Sequence, residues 1–123
     1  MQPRHIVYAA IMLLTAMVLG PTRVWAHAFL DHAEPRVGST VRAAPSAVRL
    51  TFTEPIEADF SRIEVLDARE RRVDTEPVAH PNPAELQVPL PPLSPGEYTV
   101  HWAVTSVDTH QTEGRFSFTV AEP

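Results

Sequence analysis

Short segments of this chain alternate apolar and polar residues, and proline or glycine separates each segment from the next. The same alternation occurs in five places: Val48-Leu50-Phe52, Ile63-Val65, Leu86-Val88-Leu90, Tyr98-Val100-Trp102-Val104 and Phe116-Phe118-Val120. Because neighbouring side chains of a strand point to opposite faces, each segment is predicted to be a half-buried β-strand. Residues 27–123 contain no segment with a sustained helical period and caps. The spacing of the strands therefore predicts an all-β sandwich or barrel.

Six prolines lie around the segment at Leu86: Pro81, Pro83, Pro89, Pro91, Pro92 and Pro95. Proline has no backbone N–H to donate to a sheet. The strand at Leu86 is therefore predicted to be short or to lie at a sheet edge.

The amino-terminal segment has the pattern of a cleaved signal peptide. Arg4 precedes an apolar run over residues 6–20, and Val24-Trp25-Ala26 resembles a cleavage site. The run of about 15 residues is shorter than the roughly 20 that a membrane-spanning helix needs. We therefore predict a signal peptide over residues 1–26 and one exported domain over residues 27–123, soluble and not membrane-spanning.

The composition of residues 27–123 excludes several kinds of chemistry. The whole chain lacks cysteine and lysine, which excludes disulfides, thiolate metal sites and Schiff-base chemistry. All three methionines precede residue 18, so the predicted mature domain has no thioether ligand. Eight arginines oppose fifteen acidic residues in that domain, giving a formal charge of about −7, and nucleic acid is not an expected partner.

Cleavage after Ala26 would make His27 the first residue, with a free amine and an imidazole that can chelate one metal ion. Far downstream, Asp108-Thr109-His110 places a carboxylate and an imidazole two residues apart, on one face of an extended chain. Amine, imidazole and carboxylate donors suit Cu(II), whereas Cu(I) favours thiolate and thioether ligands. The sequence therefore predicts one Cu(II) site formed by His27, Asp108 and His110.

Each of these residues also has a simpler interpretation. If the terminus is frayed, His27 is a terminal residue with no role in metal binding. Asp108-Thr109-His110 is then only a turn between two strands. Glu54, at the end of the strand that includes Phe52, is either a solvated carboxylate or a group that orients a ligand or approaches the metal.

The other histidines of residues 27–123, His32, His80 and His101, are predicted to have surface or structural roles, with an accessory role for His32 left open. Ser106, Asp108 and His110 contain the residue types of a hydrolase triad. Their positions along one strand and the missing G-x-S-x-G motif argue against that function.

The sequence resembles the CopC family of exported copper-resistance proteins. The matching elements are His27-Ala28, Glu34-Pro35 to Gly38, Ala44-Pro45, Leu50-Thr51-Phe52-Thr53-Glu54-Pro55, Gly96-Glu97-Tyr98-Thr99-Val100, Trp102, Ser106-Val107-Asp108-Thr109-His110 and Gly114. Together they span essentially all of the predicted mature chain.

The resemblance implies an immunoglobulin-like or cupredoxin-like Greek-key β-sandwich that binds Cu(II) through His27, Asp108 and His110, with Glu54 nearby. It also implies copper sequestration, copper resistance or delivery to a CopD-like inner-membrane partner, without enzymatic activity. The methionine-rich Cu(I) site of some family members has no counterpart here. Two other functions remain open: a histidine-brace copper monooxygenase, and a metal-free sandwich acting in adhesion or assembly.

Overall fold

The computed structural model describes residues 28–75 and 77–123. In chain order, its elements are β1 (Leu30–Glu34), β2 (Thr40–Val41), β3 (Ala47–Phe52), a 3-10 turn (Ala58–Phe60), β4 (Arg62–Leu66), β5 (Ala79–Asn82), β6 (Glu85–Pro89), β7 (Gly96–Thr105) and β8 (Gln111–Val120). Within the described part of the chain, no helix has the length and apolarity that crossing a membrane requires.

The strands form two four-stranded sheets that pack as a sandwich. The first sheet has the order β1-β3-β6-β5, and all its pairs are antiparallel. The second has the order β2-β8-β7-β4, in which only the short β2 runs parallel to its neighbour. The predicted all-β sandwich is therefore confirmed, and all five predicted strands are present.

The core lies between the inward faces of the two sheets. Val48, Leu50, Leu86 and Val88 come from the first sheet, and the alternate apolar residues of β4, β7 and β8 come from the second. The rings of Phe52 and Trp102 meet edge to face across the sandwich, with centroids 5.2 Å apart. This contact joins the two sheets near the end where β3 stops.

Three strands carry no sequence alternation and were not predicted: β1, β2 and β5. The proline-rich region does form an edge strand, but that strand is β5, whose four residues are all exposed. β6, which contains Leu86, has five residues and lies between β3 and β5. The alternative that placed the Leu86 strand at an edge was wrong, because the chain turns back after Asn82 and covers that side of β6 with β5.

Four segments converge at one end of the sandwich. The chain leaving β3 crosses to the second sheet, where the Glu57 amide donates to the Thr105 carbonyl at 2.8 Å. The Ile56 amide donates to the Pro83 carbonyl of the β5–β6 turn at 2.9 Å. The β7–β8 turn and the start of the described chain lie at this end as well. These contacts fix the surroundings of the candidate site.

Candidate metal centre

A five-residue turn over residues 106–110 joins β7 to β8. The Ser106 amide donates to the His110 carbonyl at 2.9 Å, and the Thr109 amide donates to the Ser106 carbonyl at 2.9 Å. Thr109 adopts a φ of 72°, in the left-handed region that residues with a branched Cβ rarely occupy. The backbone therefore reverses within the Asp108-Thr109-His110 segment.

This turn brings the Asp108 and His110 side chains together. Asp108 Oδ1 lies 3.3 Å from His110 Nδ1. The two-residue spacing predicts this proximity in an extended strand, but that reason is wrong, because the turn itself brings the two side chains together. Two donor atoms each about 2.0–2.2 Å from one metal ion lie about 3 Å apart, so this pair is close to the spacing of neighbouring ligands.

The surroundings of Asp108 in the turn favour the anionic form of its carboxyl. A hydrogen bond from the Ser106 hydroxyl is the largest influence that lowers the pKa of the Asp108 carboxyl below its usual value. Partial desolvation opposes this effect, and the hydrogen bond and charge of His110 reinforce it. The side chains of Asp108 and His110 are 34% and 42% exposed, although His110 Nδ1, the atom that faces Asp108, is itself buried. A cation from solvent therefore meets the other, exposed atoms of the two side chains first.

The start of the described chain is fastened beside this turn. Ala28 is fully buried, and its carbonyl accepts a hydrogen bond of 2.5 Å from Thr112 Oγ1, at the beginning of β8. The Phe29 amide donates to Thr53 Oγ1 at 3.0 Å, and the Thr53 amide donates to the Phe29 carbonyl at 2.8 Å. Ala28 and Phe29 are therefore anchored to both sheets. On the β8 side the anchoring residue is Thr112, which lies two residues after His110 in the sequence.

His27, the first predicted ligand, lies outside the described residues. Among residues 28–75 and 77–123, no group of three or more histidine, aspartate or glutamate side chains is placed to hold a metal ion. The described part of the chain thus supplies Asp108 and His110, and a third ligand from position 27 stays a prediction.

Glu54 lies at the same end of the sandwich. It directly follows Thr53, is half-buried, and precedes Pro55, whose carbonyl accepts a hydrogen bond of 3.1 Å from the Val107 amide. The segment containing Glu54 therefore runs beside the segment containing Asp108. Contact of Glu54 with a metal stays a prediction.

The other histidines lie in different surroundings. His32 Nε2 is 3.4 Å from Glu34 Oε1 on β1, and His80 Nε2 is 3.2 Å from the Pro83 carbonyl oxygen. His101 pairs with residues of β4 and β8, on the face of β7 opposite to the buried Trp102. Within the described ranges, none of the three belongs to a potential metal-binding group of three.

Neither Ser106 nor Thr112 was predicted from the sequence to support the site. Ser106 is buried, and its hydroxyl contacts the Asp108 carboxylate and the backbone of His110. A hydrolase would need that hydroxyl beside an imidazole base, so the contact with Asp108 argues against a triad. The feature of the sequence that could have identified them is their polarity, because both residues occupy inward positions where the strand pattern otherwise places apolar side chains.

Comparison with known proteins gives consistent matches over nearly the whole described chain. The CopC domain family matches residues 30–121. Protein YobA of Escherichia coli (strain K12) is 38% identical over 114 residues, covering 90% of this chain and 91% of the relative. Copper resistance protein C of Xanthomonas campestris pv. juglandis is 31% identical over 120 residues, covering 91% and 94%.

A solved structure matches the fold as well. The crystal structure of CopC from Methylosinus trichosporium OB3b superposes with a TM-score of 0.73 and 36% sequence identity, covering 77% of this chain and 94% of that one.

Proposed function

The chain belongs to the CopC family of copper-binding proteins, and we propose that it binds one Cu(II) ion after removal of residues 1–26. In this proposal His27 contributes its terminal amine and its imidazole, and Asp108 and His110 contribute one donor each. In this proposal Glu54, which lies on the segment that runs beside the turn, orients a ligand or approaches the metal.

The observation that carries the proposal is the pairing of Asp108 with His110 at 3.3 Å, next to the anchored start of the described chain. Ala28 is covalently bonded to residue 27, and consecutive Cα atoms are 3.8 Å apart. In this proposal a ligand at position 27 acts from beside Ala28 and Phe29, the two residues that the Thr112 and Thr53 hydrogen bonds anchor.

The donor chemistry favours Cu(II) over Cu(I). Nitrogen and oxygen donors in a tetragonal arrangement suit Cu(II), whereas Cu(I) prefers sulfur. The chain has no cysteine, and its methionines lie at positions 1, 12 and 17, within the proposed signal peptide. A Cu(I) site comparable to that of methionine-rich proteins is not part of the proposal.

We further propose a periplasmic location and a role in sequestering copper or passing it to a membrane partner of the CopD type. The support is the export pattern of residues 1–26 and the names of the relatives, which include a copper resistance protein. In this proposal the protein is a copper carrier and not an enzyme.

Histidine variants test the ligand assignment. We expect His27→Ala and His110→Ala each to weaken Cu(II) binding at least about 100-fold, more than the 10- to 100-fold typical for groups that only support a ligand. His101→Ala, which alters a histidine on the outer face of β7, is the matched control and should bind as the parent does. Competition titration against a chelator measures all three. Unchanged affinity in both the His27 and His110 variants would overturn the assignment.

A further inference from the structure

We infer that Ser106 is a positioning residue of the copper site, whose hydroxyl holds Asp108 and His110 in place before the metal arrives. The inference rests on the proposed function. It adds a role for a residue that is not itself a ligand and that the fold buries beneath the turn.

The position of Ser106, directly after β7, is unusual for a polar residue. The inward face of this strand continues from Trp102 and Val104 to Ser106, which is only 1% exposed. Buried hydroxyls in proteins are nearly always hydrogen-bonded, because leaving one unpaired costs the energy of removing it from water. The partners of the Ser106 hydroxyl therefore indicate why the hydroxyl is retained.

The hydrogen-bonding partners of the hydroxyl belong to Asp108 and His110, the two proposed metal ligands of this turn. The hydroxyl donates its one proton to Asp108 Oδ1, the same oxygen atom that faces His110 Nδ1. It also accepts a hydrogen bond of 3.2 Å from the His110 amide. One side chain thus fixes the rotamer of the carboxylate and the backbone position of the imidazole.

The fold fixes Ser106 independently of any metal. Its amide and carbonyl close the turn through His110 and Thr109, and it forms an antiparallel bridge with Ile56 of the crossing segment. Asp108 by contrast is partly exposed, and its side chain would sample several rotamers without this hydrogen bond. When a ligand side chain is already ordered before the metal binds, less conformational entropy is lost on binding, and the affinity is higher.

The test uses residues 27–123 and compares Ser106→Ala with Ser61→Ala. Ser61 is the matched control because its hydroxyl also bridges backbone groups at this end, accepting from the Thr105 amide at 3.1 Å and donating to the Glu57 carbonyl at 2.7 Å. We expect Ser106→Ala to weaken Cu(II) binding about 10- to 100-fold, as for other residues that orient metal ligands. Ser61→Ala should bind within about twofold of the parent, since two sites without shared partners act independently.

A double-mutant cycle separates positioning from loss of structure. The Ser106 hydroxyl donates to the Asp108 side chain, so Ser106→Ala should cost threefold or less in an Asp108→Ala background, where that acceptor is already lost and only the bond from the His110 amide remains to be removed. Ser106→Thr, which keeps the hydroxyl, should recover most of the affinity. Electron paramagnetic resonance of the Ser106→Ala protein should show altered copper hyperfine splitting, which simple destabilisation would not produce.

Two results would overturn the inference while leaving the proposed function intact: parent-like affinity in Ser106→Ala, or the same loss in both backgrounds. A different result would remove the proposed function itself. That result is parent protein binding Cu(II) no more tightly than a short peptide beginning His-Ala-Phe.

Discussion

Thr109 occupies the least favourable backbone conformation of the candidate site. Its φ of 72° places a branched Cβ in the left-handed region, which costs an ordinary residue roughly 1–2 kcal/mol. Its hydroxyl contacts the Asp108 carbonyl oxygen at 2.6 Å. The turn accepts this conformation because the bonds from Ser106 to His110 and Thr109 close around it.

Replacing Thr109 by glycine should therefore stabilise the metal-free domain. Glycine removes the free-energy cost of the left-handed conformation in the folded state. It also gives the unfolded chain more conformational entropy, which lowers stability by about 0.4–1 kcal/mol. We therefore expect the free energy of unfolding to rise by about 1 kcal/mol. Urea unfolding measures it. Thr99→Gly, within β7, is the control and should destabilise, since glycine weakens a strand. Destabilisation by Thr109→Gly would contradict this account of the turn.

Gly114 shows a second constraint at the scale of one residue. It pairs with Trp102 across β7 and β8, and a Cβ at this position would lie 2.5 Å from Trp102 Cζ2. The indole therefore lies flat against the β8 backbone, from where its ring reaches Phe52 of the other sheet. A side chain at position 114 would displace the ring that joins the sheets beneath the site.

At the scale of elements, the start of the chain and β8 depend on each other. The Thr112 hydroxyl is the β8 group that holds the Ala28 carbonyl, and Ala28 itself is buried. If that hydrogen bond is removed, the carbonyl is left without this partner in a buried position. The segment that leads to residue 27 should then be held less firmly beside the turn.

Thr112→Val tests this anchor, because valine keeps the shape and removes the hydroxyl. We expect Cu(II) affinity to fall about 10-fold, as when a group that orients a metal ligand is lost. We also expect faster hydrogen exchange at the Phe29 amide, which bonds to Thr53 in the same anchor. Thr99→Val, on the outer face of β7, is the matched control. Parent-like affinity and exchange in Thr112→Val would show that the anchor has no part in binding.

The strands that the sequence predicted are those with one buried face. β3, β4, β6, β7 and β8 alternate in burial along their length, and their apolar periods were visible in the sequence. β5 is exposed at every position, β1 buries only Ala33, and β2 has two residues, so burial imposed no recognisable pattern on them. Backbone pairing to longer neighbours defines these strands, and pairing is not encoded by alternation.

The candidate site was predictable in its residue types and less so in its geometry. Asp108-Thr109-His110 was recognisable as a carboxylate and an imidazole two apart, but their approach depends on the positive φ of Thr109. The part played by Ser106 depends on contacts between residues two and four apart in a closed turn. Such contacts follow from the three-dimensional path of the turn, which spacing alone does not specify.

At the scale of the whole molecule, the sandwich gathers negative charge at the end that holds the candidate site. The crossing segment and the 3-10 turn contain Glu54, Glu57 and Asp59, and the β7–β8 turn contains Asp108, while residues 53–61 and 105–111 include no arginine or lysine. A surface of one sign raises the local concentration of ions of the opposite sign. The fold thus favours the approach of cations to the end where Asp108 and His110 meet.

The central claim is that the metal site is completed by a histidine at a free amino terminus. It is tested most directly by titrating Cu(II) into residues 27–123 and into residues 26–123, which retain one residue ahead of His27, with electron paramagnetic resonance as the readout. We predict a tight one-to-one tetragonal signal with nitrogen couplings for the shorter protein, and a weaker or altered signal for the longer one, whose amine has moved away. Identical weak binding by both proteins would contradict the claim.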